Sequence, residues 1–142
     1  MKRIVTVLLL GVLFMSCFSI NSFATEASDA NNSERTTGLI NVYTISITKS
    51  GTCLTIKGRT TCTSEVTKCG FKTLTVEYRA NSNADWDVYE EYIKLYDEDN
   101  SYNLEKTITI DSGYQYRVVC EHYAYKNLFQ TETIDNISNT AY

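Results

Sequence analysis

From Leu39 onward apolar and polar residues alternate with a period of two, the spacing that buries one face of an extended strand. Leu39, Tyr43, Ile45 and Ile47 share a face of the first run, and Lys49-Ser50-Gly51-Thr52 supplies turn residues. The second run, Cys53 to Thr63, sets Leu54 and Ile56 on one side, with a bulge expected at Gly58. Phe71 to Arg79 aligns Leu74, Val76 and Tyr78, and the polar stretch Ala80 to Asp85 leads into a fourth run, Trp86 to Tyr96. Beyond the acidic turn Asp97-Glu98-Asp99-Asn100-Ser101, Leu104, Ile108 and Ile110 agree in face, although Lys106 interrupts them. Asp111-Ser112-Gly113 turns the chain into Tyr114 to Ala124, where Tyr116, Val118 and Cys120 agree, and Leu128 to Ile134 makes a seventh run.

Seven such runs, each burying one face, predict an all-β antiparallel β-sandwich, immunoglobulin-like or fibronectin-type. In these sandwiches a buried phenol often satisfies a backbone group of the turn before its strand. Tyr116, following Gly113-Tyr114-Gln115, is placed to do this; the alternative is an ordinary core aromatic.

Ahead of the strands, residues 1–24 carry Lys2-Arg3, an apolar run from Ile4 to Met15, and Ser22-Phe23-Ala24, the three parts of a signal peptide cleaved after Ala24. The apolar run is shorter than the roughly 18 to 20 residues of a spanning helix, so no transmembrane segment is expected after cleavage. The expected location is extracellular. Leu13-Phe14-Met15-Ser16-Cys17 is a poor lipobox, and its use would instead give a membrane-anchored lipoprotein through Cys17. Residues 25–37 lack large apolar side chains and read as a flexible polar spacer, which leaves 38–142 as one sandwich domain.

Eleven Tyr, six Gly and no Pro fit a β-rich chain and exclude collagen-like or Pro-rich sequence. Loss of the leader leaves eleven basic and seventeen acidic residues, a sign that argues against nucleic-acid binding. The remaining Cys53, Cys62, Cys69 and Cys120 form an even set suited to disulfides in an exported chain. If Cys53 and Cys62 end one strand they stand roughly 30 Å apart, and Cys69 lies just beyond the same far end. Cys62 with Cys69 and Cys53 with Cys120 remain, although Leu54 and Ile56 inward would turn Cys53 outward.

The same cysteines contain no Cys-x2-Cys spacing and the chain has one histidine, His122, so neither metal nor cofactor is expected. The acidic turn lacks the glycine and the twelfth-position glutamate of a calcium loop and reads as a solvated hairpin. Cys120 and His122 share a strand face, where neighbours pack more readily than they react, so no catalytic residue is assigned. Trp86, Tyr92 and Tyr96 share a face with Glu90 and Lys94, while Tyr89 turns the other way with Ile93 and Leu95. This row, with Tyr125 at a Tyr125-Lys126-Asn127 tip, is the expected binding surface; the alternative is sheet packing. The expected role is non-enzymatic binding of an extracellular or cell-envelope partner. An exported inhibitor or antagonistic factor, and an enzyme using Cys120 and His122, are the alternatives.

Ser50-Gly51-x-x-Leu54-x-Ile56-x-Gly58-x-Thr60, then Thr73-Leu74-Thr75-Val76-Glu77-Tyr78, Trp86 and Gly113-Tyr114-x-Tyr116-Arg117-Val118-x-x-x-His122 follow a leader and an acidic spacer. Over Arg35 to Asn136 this order resembles the small exported proteins of Gram-positive anaerobes grouped as domain of unknown function 6147. The resemblance implies export and a sandwich fold, and supplies no substrate, cofactor or catalytic residue. Cys62 and Cys69 depart from its pattern, standing where small or aliphatic residues are usual, which makes any disulfide a property of this chain.

Overall fold

A computed structural model describes residues 38–142; the expected leader, Cys17 and the spacer lie outside the described residues. The strands are β1 (Ile40–Ser50), β2 (Cys53–Cys62), β3 (Lys68–Arg79), β4 (Asp87–Asp97), β5 (Ser101–Thr109), β6 (Gln115–Asn127) and β7 (Gln130–Ile137). All pair antiparallel, as a three-stranded sheet β1-β2-β5 and a four-stranded sheet β4-β3-β6-β7. The two inner faces meet as a β-sandwich over Ile45, Ile47, Leu54, Ile56, Leu74, Val76 and Val118, the positions at which the alternation placed apolar side chains, and over Phe71, which a register shift between Phe71 and Thr73 turns inward against the alternation. A smaller cluster, Ile40, Tyr43, Cys62, Val66, Cys69 and Ala124, fills the end where β2 passes to β3.

Two expected details change. A register shift between Ile40 and Val42 turns Ile40, rather than Leu39, inward beside Tyr43. At Gly58 the pairing with Ile45 and Leu104 continues without a bulge. Gly58 is there for space, since a Cβ would stand 2.7 Å from Phe71 Cζ and 3.0 Å from Ile45 Cδ1.

Tyr116 is fully buried and its hydroxyl donates to Asp111 O at 2.9 Å, so the phenol bonds the preceding turn as the sequence suggested. The last residues close the open edge of β1. Asn139 accepts from Ile47 N–H at 2.9 Å and donates to Ile47 O at 3.0 Å, so that its amide acts as a short strand partner. Ala141 bridges Tyr116 through two backbone bonds of 2.9 Å.

Candidate functional site

The four-stranded sheet decides where the aromatic residues lie, and β4 is irregular twice. Val76 pairs with Glu90 and Glu77 with Val88, leaving Tyr89 as an extra residue. Near the other end Phe71 pairs with Leu95 and Thr73 with Ile93, and Lys94 takes a left-handed φ of 58°. Each irregularity reverses the parity of the residues beyond it. Tyr92 therefore pairs with buried Leu74 and packs on the core, alongside Tyr89 and Leu95. Burial and the neighbouring Glu90 carboxylate raise its phenol well above the ordinary range, and the Lys106 ammonium sits 4.2 Å from its ring centroid. Lys106, opposite buried Ile56, is the charge that interrupted the apolar face of β5.

The expected row of Trp86, Tyr92 and Tyr96 is thus dispersed. Trp86 precedes β4 at one end of the sandwich and carries the guanidinium groups of Arg79 and Arg117 at 4.3 and 4.4 Å from its ring centroid. Arg117 is also bonded to Glu77 at 2.6 Å and Arg79 to Gln115 at 2.8 Å, so the indole belongs to a cross-strand network. Tyr96, near the opposite end, does face outward. It meets Tyr123 at 5.0 Å between centroids across Gly70, where a Cβ would strike Leu95 O and Tyr96 Cα. Tyr125 lies two residues further along β6, opposite Lys68, whose ammonium is 5.9 Å from its ring centroid.

Two residues absent from the sequence-based site complete this end. The β6–β7 turn is Leu128-Phe129, and these side chains are 85% and 95% exposed. Asn127 Oδ1 accepts from Phe129 N–H at 2.9 Å, an Asx turn that holds the pair in a defined position. The readable signal was a Leu-Phe pair between Asn127 and Gln130, which the alternation absorbed as a strand start. Beside the turn, Thr67 donates to Tyr125 O through its backbone at 2.9 Å and its hydroxyl at 3.2 Å. Glu65 pairs with Lys126 and Glu98 with Lys68, and an open depression of about 580 Å³ lies between Ser64–Lys68 and Glu98–Asn100. Acidic side chains thus flank an aromatic and aliphatic patch. Among the described residues no three His, Cys, Asp or Glu side chains converge as a metal site.

Cys62, Cys69, Cys120 and His122 are buried between the sheets, Cys62 and Cys69 at this same end. Thr60 Oγ1 stands 3.1 Å from Gly70 O and 2.7 Å from His122 Nδ1, and Cys120 Sγ stands 3.5 Å from His122 Nε2. One hydroxyl proton serves one acceptor, so donation to Gly70 O makes Nδ1–H the donor to Thr60 and leaves Nε2 to accept from the Cys120 thiol. Burial raises the Cys120 thiol to about 12 and lowers His122 to about 4. A neutral thiol beside a neutral imidazole has no activated nucleophile.

Cys62 Sγ stands 2.9 Å from Cys69 Sγ, which donates to Thr60 O at 3.3 Å. All four cysteines in the described residues are free, and no sulfur pair is at bonding distance. The expected Cys53–Cys120 pair is not brought together. Cys53 begins β2 on the outer side, between Ser50 and Thr109, whereas Cys120 faces the core in mid-β6. Strand parity is the cause, since buried Leu54 follows Cys53 directly.

No protein-family model matches the chain, and no curated protein matches it.

Proposed function

We propose that this chain is an exported, non-enzymatic recognition module, a β-sandwich of the immunoglobulin-like, fibronectin type that grips a protein partner at the β6–β7 end. The strand order β1-β2-β5 and β4-β3-β6-β7, with crossings between sheets at β2–β3, β4–β5 and β5–β6, supports the class, as does the Tyr116 bond to its turn. The pattern of the first 24 residues and the resemblance to domain of unknown function 6147 support export. The observation that carries the reading is the pair Leu128 and Phe129, almost fully in water on a turn pinned by Asn127. Their exposure is unfavourable for the free chain and becomes favourable in an apolar socket. Tyr96, Tyr123 and Tyr125 continue the surface along the sheet, and Glu65, Asp97, Glu98 and Asp99 around it fit a socket with a basic rim.

Capture of proteins from the producing organism's cell envelope tests this. Phe129→Ala with Leu128→Ala should weaken retention of a defined protein by at least tenfold, on the order expected for central apolar anchors. Trp86→Ala, at the opposite end, should leave it unchanged. Equal retention by the wild-type chain and the double variant would overturn the proposal.

A further inference from the structure

We propose that Cys62 and Cys69 are a redox site which, in an oxidising compartment, closes to a single disulfide joining the two sheets, while Cys53 and Cys120 stay thiols. The sulfurs are already 2.9 Å apart, inside the roughly 3.5 to 4 Å of ordinary non-bonded contact. Bond formation needs a further approach of about 1 Å. Cys62 ends β2 in one sheet and Cys69 begins β3 in the other, so the bond would close the short passage between layers. That passage is held on both sides. Cys62 N–H donates to Asn100 O, Thr63 N–H to Leu39 O and Thr67 N–H to Tyr125 O, at 2.8, 2.8 and 2.9 Å. Cys69 sits in register between Asp97 and Ala124. Both backbones are therefore fixed where the two side chains meet, so the native fold favours this pair over any other among the four thiols.

The other thiols are placed where neither can compete. Cys53 is at the far end of β2, on the outer side of its sheet. Cys120 has its sulfur against His122 Nε2, with Thr60 beyond the ring.

Closure requires an oxidant, a small or protein disulfide R–S–S–R. The Cys62 thiolate attacks one of its sulfurs, forming a mixed disulfide and releasing one RS⁻. The Cys69 sulfur then attacks Cys62 Sγ, the new S–S bond forms, and the second RS⁻ leaves. Two electrons pass from the cysteine sulfurs to R–S–S–R, and the two cysteine protons end on two R–SH. The bond removes the Cys69 donation to Thr60 O, one link of the buried polar cluster. The hydrogen bond to Cys69 and burial keep the Cys62 thiol protonated in the folded chain, so closure takes place during folding, while this end is open.

The test is to refold the unfolded, reduced full chain carrying Cys17→Ala in glutathione buffers of increasing oxidised fraction, alkylate, and map the peptides by mass. The expected product has one bridge, lighter by about 2 Da for two lost hydrogens, between Cys62 and Cys69, with Cys53 and Cys120 alkylated. Its thermal midpoint should lie about 10 °C above that of the reduced chain. Cys53→Ala should keep that difference, and Cys69→Ala should abolish it. A bridge that includes Cys53 or Cys120, or alkylation of all four cysteines in the most oxidising buffer, would overturn the proposal. If a further variant fails to fold, the peptide map of the Cys17→Ala chain decides by itself.

Discussion

Tyr43 and Phe71 flank the His122 ring at 5.4 and 4.6 Å, while Thr60 and Cys120 stand at its two nitrogens. An imidazole enclosed in this way gives up the proton it would hold in water. Its folded value of about 4 lies below the ordinary 6.5, so on acidification the unfolded chain takes up the proton first. Stability from this group is complete above about pH 6.5, falls as pH drops toward 4, and changes no further below that, a total of about 3 kcal/mol. Denaturant midpoints at pH 7, 5.5 and 4 should show the fall in the wild-type chain. His122→Gln should be less stable at pH 7 and lack this part of the slope. Equal slopes in the two proteins would mean that other groups set the acid sensitivity. Residue identity made His122 visible in the sequence, but the alternation could say only that it shares a face with Cys120. Its bond to Thr60, sixty-two positions away, required the sheets to meet.

At the scale of the strand, β4 shows what a period of two can and cannot carry. In β2, and on the β6 side of the Leu74-Val76-Tyr78 part of β3, the pairing is regular, and the apolar faces read from the sequence are those that meet the core. In β4 the extra residue at Tyr89 and the left-handed turn at Lys94 each reset the alternation, so Tyr92 turns inward and Tyr96 outward. Neither site has a glycine to announce it. β4 is also an edge strand, and such irregularities make an edge a poor template for another chain. Lys94 bears the steric cost of its φ of 58°. Lys94→Gly should therefore raise stability by roughly 0.5 to 1 kcal/mol, and Lys94→Ala should not. A paired denaturation measurement checks this, and a lower midpoint for the glycine variant would contradict the backbone assignment.

Across the whole molecule the two outer faces differ. The three-stranded sheet presents Thr44, Ser46, Lys57, Arg59, Asn103 and Glu105, all polar, whereas the four-stranded sheet ends in Tyr96, Tyr123 and Tyr125 below the Leu128-Phe129 turn. The layers are tied at their margins by polar bonds as well as by the core. Glu132 of β7 accepts from the N–H groups of Leu39 and Ile40, and Asn139 pairs with both backbone groups of Ile47. Asn139→Ala leaves a partly buried N–H and C=O without these partners and should cost about 1 to 3 kcal/mol. Faster hydrogen exchange at Ile47 together with a lower denaturant midpoint is the expected result. Unchanged exchange there would show that the tail does not hold β1.

The number of strands, their approximate limits, the inward apolar positions of the regularly paired stretches and the phenol of Tyr116 followed from the sequence, because alternation, turn residues and burial act over a few neighbouring positions. Which aromatics share a surface, which cysteines meet and what faces His122 were decided only by the tertiary structure. A single bulge reverses the side of every residue beyond it, so small local departures accumulate along a strand. Contacts such as Thr60 with His122, Glu132 with Leu39 and Asn139 with Ile47 join residues dozens of positions apart. Only the stacking of the two sheets brings those positions together.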